Sequence, residues 1–321
     1  MNTYVLVFMI LTVVSFLYLK IATKYKIIDK PNKRSAHTKV TVLGGGILFP
    51  LAMFLFFIFN KYQYPYFFVS VVLISIISFL DDIYTLSSKI RFLFQFIAVF
   101  LVLYEVGLPF DPIYMFVIYV VTGIGIVNMF NFMDGVNGIT GLYSFAVISV
   151  LYLINSKEQI VNSELLIYVF ISIIVFGFYN FRRKALFFAG DIGSISMGVF
   201  MLFIVLYLAH TLKSPVIILL LVVYVTDAGS TLLYRFFFTK ESVLEPHRHH
   251  IYRRLVDIKK MSHLKVSAIY GCTQLMVNSI VYNTYNLGMQ IQFVILVLLI
   301  SLFVAFYIYL FKKLKEKSKL K

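Results

Sequence analysis

Charge is what this sequence has least of. Only 13% of its 321 residues are charged, against 61% hydrophobic, and the mean hydropathy is +0.91. That balance excludes an ordinary soluble domain, in which about a quarter of the residues carry charge. A single cysteine, Cys272, excludes an internal disulfide and reads as a small membrane-buried hydrophobe. No internal repeat and no low-complexity domain is visible. The first apolar run has no Lys or Arg ahead of it and "KIATKYKIIDKPNKR" behind it, the reverse of the order in a cleavable signal peptide. With no soluble domain to carry a groove-reading element, the net charge of +15 does not indicate a nucleic acid partner.

What is present is a succession of apolar runs, each of about 17 to 25 residues and long enough as a helix to cross about 30 Å of hydrocarbon. Barrel strands would alternate instead. The expected fold class is an all-α polytopic membrane helix bundle of about eleven transmembrane helices. Their expected spans are 2–20, 41–59, 64–80, 90–107, 112–130, 138–155, 164–181, 192–211, 215–238, 266–285 and 289–311. With the N-terminus outside, all of the 29 Lys and Arg except Lys61, Lys157 and Lys213 fall on the inner side. The positive-inside rule therefore places the N-terminus outside and the C-terminus in the cytoplasm of a multi-pass inner (plasma) membrane protein. The chain 1–321 reads as a single membrane-embedded domain with a basic cytoplasmic tail at 312–321. Membrane lipids with anionic headgroups are expected partners of the basic loops.

The polar residues gather at the inner boundary. Asp81 and Asp82 close the third span, Asp134 follows the fifth and Asp191 precedes the eighth. Boundary placement by itself lowers the cost of a carboxylate in a membrane protein, and a lone Asp-Asp pair also serves as a topology marker. The surrounding residues go further: Asp and Asn recur with glycine in "NFMDGVNGITG" and "FFAGDIGSISMG", a composition that admits close backbone approach to a ligand. Five spans start at the inner face, and their N-termini would offer N–H groups to phosphate. One start carries "LGGG", which reads equally as a phosphate loop or as close helix packing. "HRHH" lacks a zinc ligand set beyond Glu245, so these histidines, with Arg248, Arg253 and Arg254, are expected to contact phosphate or sugar. His210 and His263 have no motif around them, and Asp227, inside the ninth span, reads as paired or cavity-facing rather than catalytic. Carboxylate and amide oxygens of this kind suit Mg²⁺, with Mn²⁺ as the alternative, holding a diphosphate for phosphoryl transfer.

In order along the chain, "DKPNKRSAH", "LGGG", "DDIYTLSSKIRFLFQ", "NFMDGVNGITG", "FGFYNFRRKALFFAGDIGSISMG" and "PHRHHIYRRL" resemble the motifs of the polyprenyl-phosphate N-acetylhexosamine-1-phosphate transferases. That family includes the MurNAc-pentapeptide translocase and the initiating enzymes of O-antigen and teichoic acid synthesis. The resemblance implies transfer of a sugar-1-phosphate from a UDP-N-acetyl sugar to undecaprenyl phosphate, with release of UMP and a Mg²⁺ requirement, at the cytoplasmic face. Asp81, Asp82 and Asp134 match catalytic positions, and Asn131, Asp191 and Asp82 match metal positions. Asn137, His247, His249, His250 and Arg254, with Lys33, Arg34 and His37 of the first loop, match substrate-binding positions. Two departures are visible: "VTVLGGG" lacks the proline that relatives place before the glycines, and "HRHH" is closer to enzymes for small N-acetylated or deoxy-amino sugars. A homodimer is compatible with this reading. The rival class, a transporter or lipid flippase, would place ionisable residues near the midplane on broken helices, often in repeated halves.

Overall fold

In the computed structural model, which describes residues 2–31, 40–239 and 247–319, the chain is helical nearly throughout. Twelve α-helices occur among the described residues. They are α1 (Thr3–Lys24), α2 (Leu48–Phe59), α3 (Pro65–Tyr84), α4 (Ser88–Val106), α5 (Ile113–Met133), α6 (Ile139–Glu158), α7 (Ser163–Asn180), α8 (Gly190–Thr211), α9 (Val222–Phe238), α10 (Ile251–Asp257), α11 (His263–Thr284) and α12 (Met289–Lys319). Eight helical segments among the described residues are long and apolar enough to cross a membrane, one of them being α9 with the 3-10 stretch that precedes it.

The other three expected spans correspond to α2, α4 and α11, and each falls short for its own reason. Ahead of α2 the chain is extended, pairing β2 (Thr41–Val42) antiparallel with β1 (Ile28–Asp29), and then turns through a 3-10 segment, Gly45–Ile47. That leaves only twelve residues for α2. α4 carries Lys89, Arg91 and Glu105, and α11 carries Gln274, Asn278 and Asn283. α10 is a short helix between α9 and α11, where no helix was expected.

α8 is the central post, buried at every position from Ile192 to Val205 and packed on α3, α4 and α5. Apolar burial does not drive helices together in lipid, so close van der Waals fit has to. Gly46 and Gly193 supply it: a Cβ at Gly46 would lie 2.3 Å from the Gly193 Cα. α12 is the opposite case, exposing Phe293, Leu298, Leu302 and Phe306 as a lipid-facing helix does.

Several polar groups inside the bundle are matched across helices. Gln95 of α4 and Asn128 of α5 exchange amide hydrogen bonds of 3.1 and 2.7 Å. Pro215–Leu221 winds as a 3-10 helix before α9, which takes the Leu219 carbonyl and the Val223 N–H out of a regular ladder. Gln274 of α11 meets both: its Nε2 donates to the Leu219 carbonyl at 3.0 Å, and its Oε1 accepts from the Val223 N–H at 3.2 Å. Tyr143 and Asn278 complete the network at 2.9 and 2.7 Å. Irregular backbone at membrane depth persists only where protein groups satisfy it. Gln274→Leu strands several of these groups at about 1–3 kcal/mol each. Thermal unfolding in detergent is expected to show a larger fall in midpoint for Gln274→Leu than for Gln95→Leu, whose interhelical pair is worth about 0.6–1.7 kcal/mol. Equal midpoints would count against this account.

Candidate active site

At one end of the bundle, the end of α3 and α5 and the start of α8 surround a cavity of about 260 Å³. Its first wall begins with a backbone seam. The N–H groups of Gly45 and Gly46 donate to the carbonyls of Phe188 and Ala189 at 2.8 and 3.0 Å, and the Phe188 N–H returns to the Val42 carbonyl at 2.8 Å. The glycines of "LGGG" are thus engaged in packing rather than open to a phosphate, and Gly44–Gly46 do not line the cavity. The seam delivers Gly190, at φ +71°, to the head of α8. Asp82 then caps that helix from α3, its Oδ1 accepting from the Asp191 N–H at 3.0 Å and its Oδ2 from the Ile192 N–H at 3.3 Å. A Cβ at position 190 would lie 2.6 Å from Asp82 Oδ2, so glycine is required there twice over.

The second wall is the end of α5. Asn131 donates through Nδ2 to Asp191 Oδ1 at 2.7 Å and to Ser194 Oγ at 3.2 Å. Three residues on, Asp134 caps α5 and accepts from Thr140 Oγ1 at 2.6 Å. Burial pushes the Asp134 carboxyl up from 3.8 to about 7, with the Asp191 charge adding and the Thr140 hydrogen bond opposing. The third wall carries Asn180, whose Oδ1 accepts from the Gly138 N–H at 2.7 Å at the head of α6 and whose Nδ2 donates to the Phe187 carbonyl at 3.0 Å. Asn137 donates to the Arg182 carbonyl at 2.9 Å, and its own N–H faces His263 Nδ1 at 3.4 Å. Opposite, Arg253 of α10 donates to the Gly135 carbonyl at 3.2 Å.

Four carboxylates, Asp29, Asp82, Asp134 and Asp191, therefore face the cavity beside one guanidinium, Arg253, and one imidazole, His263. Asp82 and Asp191 repel each other across the α8 cap. The carboxylates and the Asn131 amide offer hard oxygen donors with excess negative charge, which fits a divalent cation that takes one or two protein carboxylates and completes its shell with water and substrate oxygens. Among the described residues, no three His, Cys, Asp or Glu side chains converge as a closed cage. With Nδ2 engaged by Asp191, Asn131 has its Oδ1 to offer.

Residues 64–209, from the foot of α3 to the end of α8, match glycosyl transferase family 4. That stretch of the chain is similar to glycosyl transferase family 4. Distant similarity extends over 279 residues to a Bacillus subtilis protein described as "Probable undecaprenyl-phosphate N-acetylglucosaminyl 1-phosphate transferase", 28% identical and covering 78% of this chain and 75% of the relative. Undecaprenyl-phosphate alpha-N-acetylglucosaminyl 1-phosphate transferases of Yersinia pestis and Salmonella typhi are 26% and 25% identical, covering 78% and 77% of this chain and 76% and 73% of those proteins. This chain is accordingly a multi-pass membrane protein with a family 4 region at its centre.

Within the family 4 region, Asp82, Asn131, Asp134, Asn137 and Asp191 all reach the cavity. Asp81 does not line it. Its carboxylate accepts from the Leu86 N–H at 2.6 Å and pairs with Arg91 at 3.0 Å, holding the α3–α4 turn. At each of the expected open helix N-termini a protein group already takes one or two N–H groups: Asp82 at α8, Asn180 at α6, Ser87 at α4, Ser262 at α11 and the Phe188–Ala189 carbonyls before α2. Beyond the family 4 region, His247, His249, His250 and Arg254 do not line the cavity. His250 faces Asp227, while Arg254 donates to the His249 carbonyl at 2.9 Å and lies 4.0 Å over the Phe311 ring. Burial, with the charges of His250, Arg235 and His249, pushes His247 down to about 3, so it stands neutral. Lys33, Arg34 and His37 lie outside the described residues.

Arg253, expected with Arg248 and Arg254 to meet phosphate or sugar, lines the cavity, whereas three other polar lining residues, Asp29, Asn180 and His263, were not among the expected site residues. Asp29 and Asn180 sit inside the motifs "DKPNKRSAH" and "FGFYNFRRK", where spacing alone does not single them out. Arg253 stands next to Arg254, and only the rotation of α10 separates their roles. His263 has no local signal at all.

Asp134 links the site to pH. A carboxyl raised from 3.8 to about 7 favours the protonated folded state, so its contribution to stability is present at pH 4 and lost as pH rises to 7. The substrate-free protein should lose thermal midpoint over that window, and Asp134→Asn should flatten that part of the curve. An unchanged curve in the variant would assign the effect elsewhere.

Proposed function

We propose that the protein transfers an N-acetylhexosamine-1-phosphate from a UDP-sugar to undecaprenyl phosphate, releasing UMP and initiating lipid-linked cell-surface glycan synthesis. The observation that carries this reading is the joining of Asp82, Asp191 and Asn131 at the head of α8, in a cavity bounded by helix ends where polar and lipid substrates can meet. The family 4 match and the names of the relatives support the substrate classes. The distribution of Lys and Arg supports a cytoplasmic site, in one membrane domain whose basic tail at 312–321 lies against anionic headgroups.

Asp191 and Asp82, with the Asn131 Oδ1, would hold Mg²⁺, or Mn²⁺ in its place. When bound, the ion would neutralise the sugar-nucleotide diphosphate and the charge developing on it. The chain's own residues then have to hold the acceptor phosphate in line with the β-phosphorus. A phosphate monoester is already largely dianionic near neutral pH, its second pKa being about 6, so positioning outweighs deprotonation. Asp134, at about 7, can hold or release a proton in that range at the edge of the cavity. Arg253 and His263, which line the same cavity, would orient the nucleotide and its anionic groups. Asn137 acts by fixing the Arg182 backbone, and Asp81 by holding Arg91.

Purified protein given undecaprenyl phosphate and a panel of UDP-sugars should release UMP only when the lipid phosphate is present. Chelation should abolish release and added Mg²⁺ restore it, and Asp191→Asn should lower it at least about a hundred-fold. No release from any UDP-N-acetyl sugar, or undiminished release by the variant, would overturn the proposal.

A further inference from the structure

Asp227 sits inside α9, 4% exposed, and is not part of the cavity wall. Its carboxylate nevertheless gathers more donors than any other at this end of the bundle among the described residues. Oδ1 accepts from the Ile251 N–H at 3.0 Å, faces His250 Nδ1 at 3.3 Å and lies 3.4 Å from Thr231 Oγ1. Oδ2 accepts from the Tyr252 N–H at 3.2 Å and from the Tyr270 hydroxyl at 2.5 Å. Two of these donors are the first two backbone N–H groups of α10, a helix of seven residues that has too few hydrogen bonds to persist alone.

From that seat α10 grips the loop that carries Asp134. The Tyr252 ring occupies the notch left by Gly135, where a Cβ would lie 2.2 Å from the Tyr252 hydroxyl. The same hydroxyl donates to the Phe132 carbonyl at 3.0 Å. The next residue, Arg253, donates to the Gly135 carbonyl at 3.2 Å and is steadied by Asp257 at 3.4 Å. Asp134 lies between the two carbonyls so held. Every link from Asp227 to the cavity is a direct contact.

We infer that Asp227 is a positioning residue of the transfer reaction: through α10 it sets the placement of Arg253 and of the Asp134 loop. The kinetic part of this inference rests on the function proposed above. A carboxylate is needed because it only accepts, whereas an amide would turn an N–H₂ group toward the N–H and O–H donors around it.

The test uses full-length protein in detergent and three substitutions away from the cavity: Asp227→Asn, Asp227→Glu and Tyr270→Phe. Hydrogen exchange should speed up at least about ten-fold over residues 247–256 in Asp227→Asn, with the α3 and α8 amides unchanged. KM for the sugar nucleotide should rise while kcat falls, lowering kcat/KM at least about ten-fold, and Asp227→Glu should recover part of both. A merely destabilising change would lower the active fraction and leave KM where it was. If Asp227→Asn unfolds, Tyr270→Phe, which removes one donor only, must show the same local exchange. Local exchange with unchanged KM, or even exchange throughout the bundle in both Asp227→Asn and Tyr270→Phe, overturns the inference. A wild-type protein without transferase activity would sink the proposed function, while the exchange comparison would still decide whether Asp227 seats α10.

Discussion

A helix that begins at a membrane boundary leaves its first N–H groups without intrahelical partners, and in this bundle side chains from other helices supply them. Asp82 reaches from α3 to the head of α8, Asn180 from the end of α7 to the Gly138 N–H before α6, and Asp227 from α9 to α10. Each cap joins segments far apart in the chain. The cavity exists because these caps fix where the helix ends stop relative to one another. The caps occupy some of the first N–H groups at these helix starts, and two of the side chains that make them, Asp82 and Asn180, also face the cavity.

What faces the cavity is mostly negative. Asp82 spends one lone pair of each oxygen on α8, and Asp191 takes the Asn131 amide, yet both carboxylates remain at the cavity surface. Packing of α3 against α8 holds the two charges together against their repulsion. A site built this way gains most from a divalent cation, because the ion relieves a repulsion that the fold has already imposed. Asp134 shows the same strain in another form, held near neutrality by its burial and by Asp191.

The membrane explains the second layer of polar residues. Gln95 with Asn128, and Gln274 with Tyr143 and Asn278, stand where no water is available, and each matches a neighbouring amide, hydroxyl or backbone group. Asn128 lies one turn before the metal-ligand candidate Asn131. Its partner is the amide of Gln95 rather than a ligand, so identical residue types in one motif serve packing and chemistry side by side.

Composition and run length were enough to specify a helical membrane protein, because hydrocarbon thickness demands about 20 apolar residues per span and excludes unpaired backbone. The oxygen-rich motifs were legible for a related reason: clustered Asp, Asn and Gly at helix ends serve few purposes besides ligand and turn chemistry. The choice between neighbours was not legible. Asp82 reaches the cavity and Asp81 does not, Arg253 lines it and Arg254 lies on Phe311, and Asp29, Asn180 and His263 join from segments scattered along the chain. Adjacent residues on a helix point about 100° apart. Which of them faces the cavity depends on how each helix is rotated by packing against its neighbours, and that rotation is a property of the assembled bundle.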